Sequence, residues 1–223
     1  MHIRDDFSSR AVVLPEDYEW VHSPANGVDR MMLDRIGDEV ARATTIVRFA
    51  PNSYFDAHTH GGGEEYLVLD GVFSDQSGDF AAGSYVRNPI GTSHKPHTDD
   101  GCTIFVKLYQ FDESDQDQFH IDTGSAAFEP GPSEGISILP LHQTANETVA
   151  LWRFEPGTKG SSHQHPGGEE ILVLEGTLQD ELGSYPAGSW IRSPHLSQHT
   201  PFSEEGCLFY VKSGHLAPSS AKD

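Results

Sequence analysis

The strongest constraint on this chain of 223 residues is a duplication. His163 follows His58 by 105 residues, and the same offset carries Arg48 to Arg153, Pro51 to Pro156, Glu64 to Glu169, Gly83 to Gly188, His94 to His199, Cys102 to Cys207 and Lys107 to Lys212 without a gap. Shared GEE, LVL, AGS and GC runs make chance an implausible cause. A chain that repeats in this way folds as two copies of one unit.

Each copy reads as β structure. Short runs rich in β-formers arrive every eight to twelve residues: Tyr18–His22, Arg30–Arg35, Ala43–Phe49, Tyr66–Leu69, Ser84–Arg87 and Thr103–Gln110. Turn signals separate them at Ser23–Gly27, Pro51–Asn52, Gly78–Asp79 and Asn88–Pro89. No amphipathic helical pattern of useful length intervenes, so the expectation is all-β, a pair of sandwiches or barrels. The polar stretch Met1–Asp17 reads as a flexible or docking arm, and Asp112–Ser133 reads as the link between halves. The expected domains are 1–115, with the leading arm, and 116–223, with the linker.

The chemistry lies in AHTHGGGEEYLVLDG (57–71) and its return as SHQHPGGEEILVLEG (162–176). Alternate residues of a strand share a face. His58 and His60 therefore project together, as do His163 and His165. If the glycines run extended, Glu64 and Glu169 share that face, and Glu65 and Glu170 turn away to solvent. His94 and His199 follow a Pro-containing turn and supply a third imidazole to each set. A lone histidine is more often a surface or core residue than a ligand, but keeping three histidines and a glutamate twice, at one offset, serves no packing purpose. The expected metal ligands are His58, His60, Glu64 and His94, and His163, His165, Glu169 and His199. This donor set suits zinc or iron, with manganese, nickel or copper as alternatives, up to two ions per chain. Magnesium or calcium would want more oxygen.

Composition narrows the rest. A formal net charge of -20 argues against nucleic acid and anionic membrane as partners. No apolar run approaches the ~20 residues of a membrane span, and MHIRDDFSSRAVV has no secretory pattern. Cys102 and Cys207 read as buried strand residues, and the cytoplasm is the expected compartment. Arg87 and Arg192 are expected to form structural ion pairs, and His142 and His215 to be exposed or locally hydrogen-bonded. Tyr66, Tyr85, Phe105, Ile171, Trp190 and Tyr210 are expected to pack the core or line a barrel.

These residues resemble the cupin superfamily. Its first motif is matched by Gly157, His163, His165, Glu169 and Gly176, and in the first half by His58, His60, Glu64 and Gly71, with Asn52 in place of the leading glycine. Its second motif is matched by Gly83, Pro89, Gly91 and His94, and by Gly188, Pro194 and His199, with Leu196 in place of glycine. The finer wording is similar to the cupin domain of the anti-sigma factor ChrR. The resemblance implies two tandem double-stranded β-helix (jelly-roll) barrels and a metal in each. The His-x3-Cys-x2-Cys pattern of the anti-sigma helical domain is not in this sequence, so direct sigma-factor binding is not expected. Three functions follow as expectations. The first is a metal-binding regulatory or stress-sensing protein. The others are a non-haem iron dioxygenase acting on a small diketone or hydroxyaryl ketone, and a non-catalytic binder of a small acid or sugar. A small-molecule ligand and a homodimer are compatible with all three.

Overall fold

The structure is a computed structural model and describes residues 1–216; the last residues of the expected second domain, 217–223, lie outside the described residues. Apart from the 3-10 turn Pro15–Asp17, every regular element among the described residues is a strand. No helix among them is long and apolar enough to cross a membrane.

The first unit comprises Met1–Asp5 and Glu19–Ala126. Its larger sheet runs, edge to edge, His2–Ile3, Val28–Gly37, Ala41–Phe49, Cys102–Leu108, Glu64–Asp75, Ser84–Asn88 and Phe119–Asp122, with antiparallel neighbours throughout. The strand Glu64–Asp75 is far longer than the apolar run that signals it, because it serves two sheets. A bulge leaves Leu69 without a partner opposite Thr103 and Ile104, and beyond it the strand turns to pair with Gly78–Ala81 and His97. Bulges are the usual means of bending one strand between sheets. Gly71 follows at φ 73°, where an added Cβ would stand 2.2 Å from the Gly101 carbonyl oxygen. That contact explains the glycine at this place and at Gly176.

The second unit, Asp6–Tyr18 with the described part of Ala127–Asp223, repeats this plan. Its larger sheet runs Glu129–Pro130, Ile136–Gln143, Thr148–Phe154, Cys207–Ser213, Glu169–Asp180, Trp190–Ser193 and Ala11–Val13. The bulge returns at Leu174, between Val173 and Glu175, 105 residues after Leu69.

This division differs from the expected halves in two places. Of the two readings of the leading arm, residues 6–18 take the docking one and belong to the second unit: Ala11–Val13 pairs with Arg192, Ile191 and Trp190, and Val13 is buried. Residues 116–126 are not simply a linker: Phe119–Asp122 pairs with Ser84–Arg87 of the first unit. In both units, then, the edge beside the strand that precedes the third histidine is covered by a short segment outside the duplicated block. An uncovered edge would present its N–H and C=O groups to other chains.

Each unit has its own apolar core inside the sheets. The first gathers Val47, Phe49, Tyr66, Val68, Phe73, Phe80, Val86, Ile104 and Val106, and the second Phe154, Ile171, Val173, Leu178, Ile191, Phe209 and Val211. Cys102 and Cys207 are buried free thiols in these cores, and burial raises each to about 11.

Candidate metal centres

The strand register assembles each cluster. His58–Thr59 pairs with Ser93–His94 so that His94 stands directly opposite His58, and His163 stands opposite His199 in the second unit. Glu64 begins the long strand, paired with Asn88 and Leu108, and so points inward with Tyr66 and Val68. All eight expected ligands come together in two groups of four, His58, His60, Glu64 and His94, and His163, His165, Glu169 and His199. One donor atom from each residue lies within 4.8 Å of the others in its group.

The spacing is that of ligands around one ion. The Nε2 atoms of His58 and His94 are 3.2 Å apart, and Glu64 Oε1 is 3.5 Å from Nε2 of both His60 and His94. In the second group Glu169 Oε1 is 3.6 Å from His165 Nε2 and 3.7 Å from His199 Nε2. Ligands about 2.1 Å from an ion stand about 3.0 Å apart at right angles and about 3.4 Å apart in a tetrahedron.

The outer hydrogen bonds fix the tautomers. His58 Nδ1 donates to the Asp56 carbonyl at 3.0 Å, and His94 Nδ1 to the Asp75 carboxylate at 3.1 Å. The Thr92 hydroxyl donates to the Pro89 carbonyl at 2.7 Å, and so accepts from His60 Nδ1 at 2.9 Å. With every Nδ1 protonated, three Nε2 lone pairs converge on one point beside a carboxylate oxygen, an arrangement that a shared divalent cation relieves and that without one favours a proton on the carboxylate. In the second group the Ser161 carbonyl and Asp180 hold His163 and His199 in the same way, and the Ser197 hydroxyl lies 3.1 Å from His165 Nδ1. Buried Nε2 of His60, Nε2 of His165 and Oε1 of Glu169 have no hydrogen-bond partner in the protein. The residues present therefore fit a divalent transition metal.

Burial sets the electrostatics. It is the main force lowering His60 and His165 to about 4, helped in each case by the two neighbouring imidazoles. It also lifts Glu64 and Glu169 to about 7; Asn88 hydrogen-bonds Glu64 against this trend, and Asp75 and Asp180 add to the rise. His60 and His165 are thus kept neutral and ready to ligate, while Glu64 and Glu169 are costly to ionise without a cation.

Asp75, Thr92, Asp180 and Ser197 were not expected from the sequence. The signal was present, since both pairs obey the 105-residue offset. A second difference concerns Glu65 and Glu170. The glycines before them do not run extended but turn, with Gly63 at φ 75° and Gly167 and Gly168 at 81° and 75°. Alternation within the strands that Glu64 and Glu169 begin directs Glu65 and Glu170 away from the metal clusters, yet not into solvent, for they are 1% and 0% exposed. Glu65 accepts from Arg87 Nη1 at 2.8 Å and from Tyr85 at 2.7 Å, and Arg87 also holds Asp115. Glu170 accepts from Trp190 Nε1 at 2.9 Å and lies 3.1 Å from His215 Nε2. Arg87 makes the expected structural ion pair, with Glu65 and Asp115, and is fully buried, as is Arg192 beneath the Phe7 ring. His142 is buried too, and the His215 side chain is 3% exposed. The two motif departures also resolve. Asn52 and Leu196 both take the left-handed backbone of the glycines they replace, at φ 58° and 62°, matching Gly157 at 78° and Gly91 at 89°. The turn before His199 is thus preserved.

Two jelly-roll units, each enclosing three histidines and a glutamate, define a two-barrel cupin. The chain belongs to the ChrR cupin-like domain family, whose pattern matches twice, over residues 8–112 and 116–217. Solved structures agree on the fold. A candidate dioxygenase of Nostoc punctiforme superposes with a TM-score of 0.79 at 14% identity, covering 96% of this chain and 85% of that one. A glyoxylate-induced protein of Pseudomonas aeruginosa, so assigned, gives 0.78 at 16%, covering 96% and 92%. An oxalate decarboxylase variant of Bacillus subtilis gives 0.63 at 15%, covering 91% and 76%. No curated protein matches the sequence.

Proposed function

We propose that this chain is a two-centre metalloprotein that holds one divalent transition metal, zinc or iron, in each unit and serves a metal-dependent regulatory or stress-sensing role in the cytoplasm, without direct contact to nucleic acid or membrane. The observation that carries the metal reading is the convergence of donor atoms from three histidines and a glutamate, twice. The regulatory reading rests on membership of the ChrR cupin-like family. Loss or oxidation of a ligand would release buried glutamates and histidines that are costly to leave without a cation, and so would alter the surrounding strands.

A second reading is favoured by one feature of the second unit. His163, Glu169 and His199 open on a cavity of about 30 Å³ walled by Trp152, Phe154, Ile171 and Phe209. With room for about two waters, it is an apolar approach to the metal cluster of the kind that an iron-dependent dioxygenase would open for a small diketone or hydroxyaryl ketone. Iron would supply positions for a chelating oxygen ligand. Glu169, lifted to about 7, is placed to take a proton from such a substrate.

Anaerobic reconstitution with iron, followed by oxygen-uptake measurements over diketones and hydroxyaryl ketones, separates the two. The first reading predicts no substrate-dependent uptake and tight zinc retention. Uptake that is lost in Glu169→Gln would replace it with the second.

A further inference from the structure

The two centres carry the same ligands but different walls. Subtracting 105 from the residues around the second cavity places Phe49, Tyr66, Ile104 and Val106 around the first cluster where Phe154, Ile171, Phe209 and Val211 surround the second. Two of these four pairs are identical, Phe49 with Phe154 and Val106 with Val211, and Ile104 for Phe209 exchanges one apolar side chain for another; Val47 stands where Trp152 walls the second cavity. The fourth pair, Tyr66 for Ile171, adds a hydroxyl.

That hydroxyl is placed inside the barrel. Tyr66 lies two residues after Glu64 on the inward face, between Val86 and Val106 on the neighbouring strands. Its ring packs 4.9 Å from Phe73, which in turn lies 6.0 Å from the His94 ring. Tyr66 is 1% exposed, yet its hydroxyl has no hydrogen-bond partner in the protein. A buried hydroxyl without a partner costs about 1–3 kcal/mol, and phenylalanine would fill the same space without that cost. Phenylalanine already occupies positions 49, 73 and 80 of this core.

We propose that the N-terminal centre binds a small carboxylate or similar oxyanion on its metal, with the Tyr66 hydroxyl donating a hydrogen bond to it, and that the C-terminal centre, having Ile171 there, takes less polar ligands. The proposal rests on the metal reading given above. The wall of the first centre offers the anion the Tyr66 hydroxyl besides the metal, where the second has Ile171; the donor that the second wall adds is the indole N–H of Trp152, opposite Val47. The two barrels thus divide between two ligand chemistries while keeping one metal-binding plan.

The test uses full-length protein loaded with cobalt(II), whose visible bands report ligand binding. His165→Ala leaves the N-terminal centre loaded and His60→Ala leaves the C-terminal one, with cobalt content measured in each. Formate is the probe. The expected result is tighter formate binding at the N-terminal centre, weakened about 10-fold by Tyr66→Phe with cobalt content unchanged. Ile171→Tyr, in the chain loaded only at its C-terminal centre, should gain formate affinity. Cobalt uptake with formate affinity unaltered in Tyr66→Phe would overturn the ligand assignment alone. Absence of cobalt uptake in both chains would sink the metal reading and this assignment with it.

Discussion

Asp75→Asn probes how the protein, rather than the ligands alone, makes the first centre. Asp75 is almost fully buried and uses both oxygens: Oδ1 accepts from the Ser77 amide at 2.6 Å in the hairpin turn, and Oδ2 accepts from His94 Nδ1 at 3.1 Å. Asparagine has one oxygen. If the turn keeps it, the Nδ2 amide faces His94, donates to Nδ1, and forces the proton onto Nε2, where the ligand lone pair is needed. If the amide flips, the turn loses its acceptor instead. Either way a charge-assisted hydrogen bond behind a ligand is lost, worth about 1.5–3 kcal/mol. Such a loss should weaken metal binding at this centre by about 10–100-fold. The C-terminal centre has its own support, Asp180 at 3.3 Å from His199 Nδ1, and should be unchanged. Zinc competition against a chromophoric chelator, fitted to two affinity classes, reads both at once. One class weakened and one intact is the expected outcome. Two classes weakened alike, or neither, would refute the tautomer argument.

Other consequences are equally concrete. Leu196→Gly removes a left-handed leucine that is about half exposed and should stabilise the protein by about 0.5–1 kcal/mol, after allowing for glycine's greater freedom when unfolded; a lower denaturation midpoint would contradict this. Glu64 and Glu169 are raised from 4.5 to about 7. Their contribution to metal-free stability is therefore complete below about pH 4.5 and lost as pH rises through 7, and metal uptake at pH 6 should release about one proton from each. Calorimetry in buffers of differing ionisation enthalpy checks this, with Glu64→Gln removing one of the two. Val13→Ala should cost about 2 kcal/mol and loosen Trp190–Ser193 in hydrogen exchange while leaving Ser84–Asn88 protected; uniform loss would argue against the pairing of Ala11–Val13 with that edge.

Much of this molecule was legible in the sequence, for a physical reason. Strand period and turn chemistry are local, and the 105-residue offset acts as an internal control on every assignment. Parity placed His58 and His60 together, and repetition at one offset marked Glu64 and His94 as belonging with them, although the glycines before Glu64 turn instead of running extended. What escaped reading is non-local. The partner of Ala11–Val13 is some 180 residues away, and no property of AVV announces it. Parity correctly turned Glu65 from the metal cluster but could not say what lay on the other side, where Arg87, Tyr85 and Asp115 make a buried polar cluster. The length of Glu64–Asp75 was hidden because a bulge and Gly71 interrupt its alternation. Asp75 and Asp180 sit beyond that bulge, where the apolar pattern has ended, although they repeat as faithfully as the histidines they support.

The central claim is that both units bind metal, each by its own four residues. It is tested most directly by metal content per chain, measured after stripping and reconstitution of the purified full-length protein with zinc or iron. The account predicts two ions per chain in the unaltered protein and one in His60→Ala, with the remaining ion held as tightly as before. One ion or none in the unaltered protein, or the loss of both in His60→Ala, would contradict it.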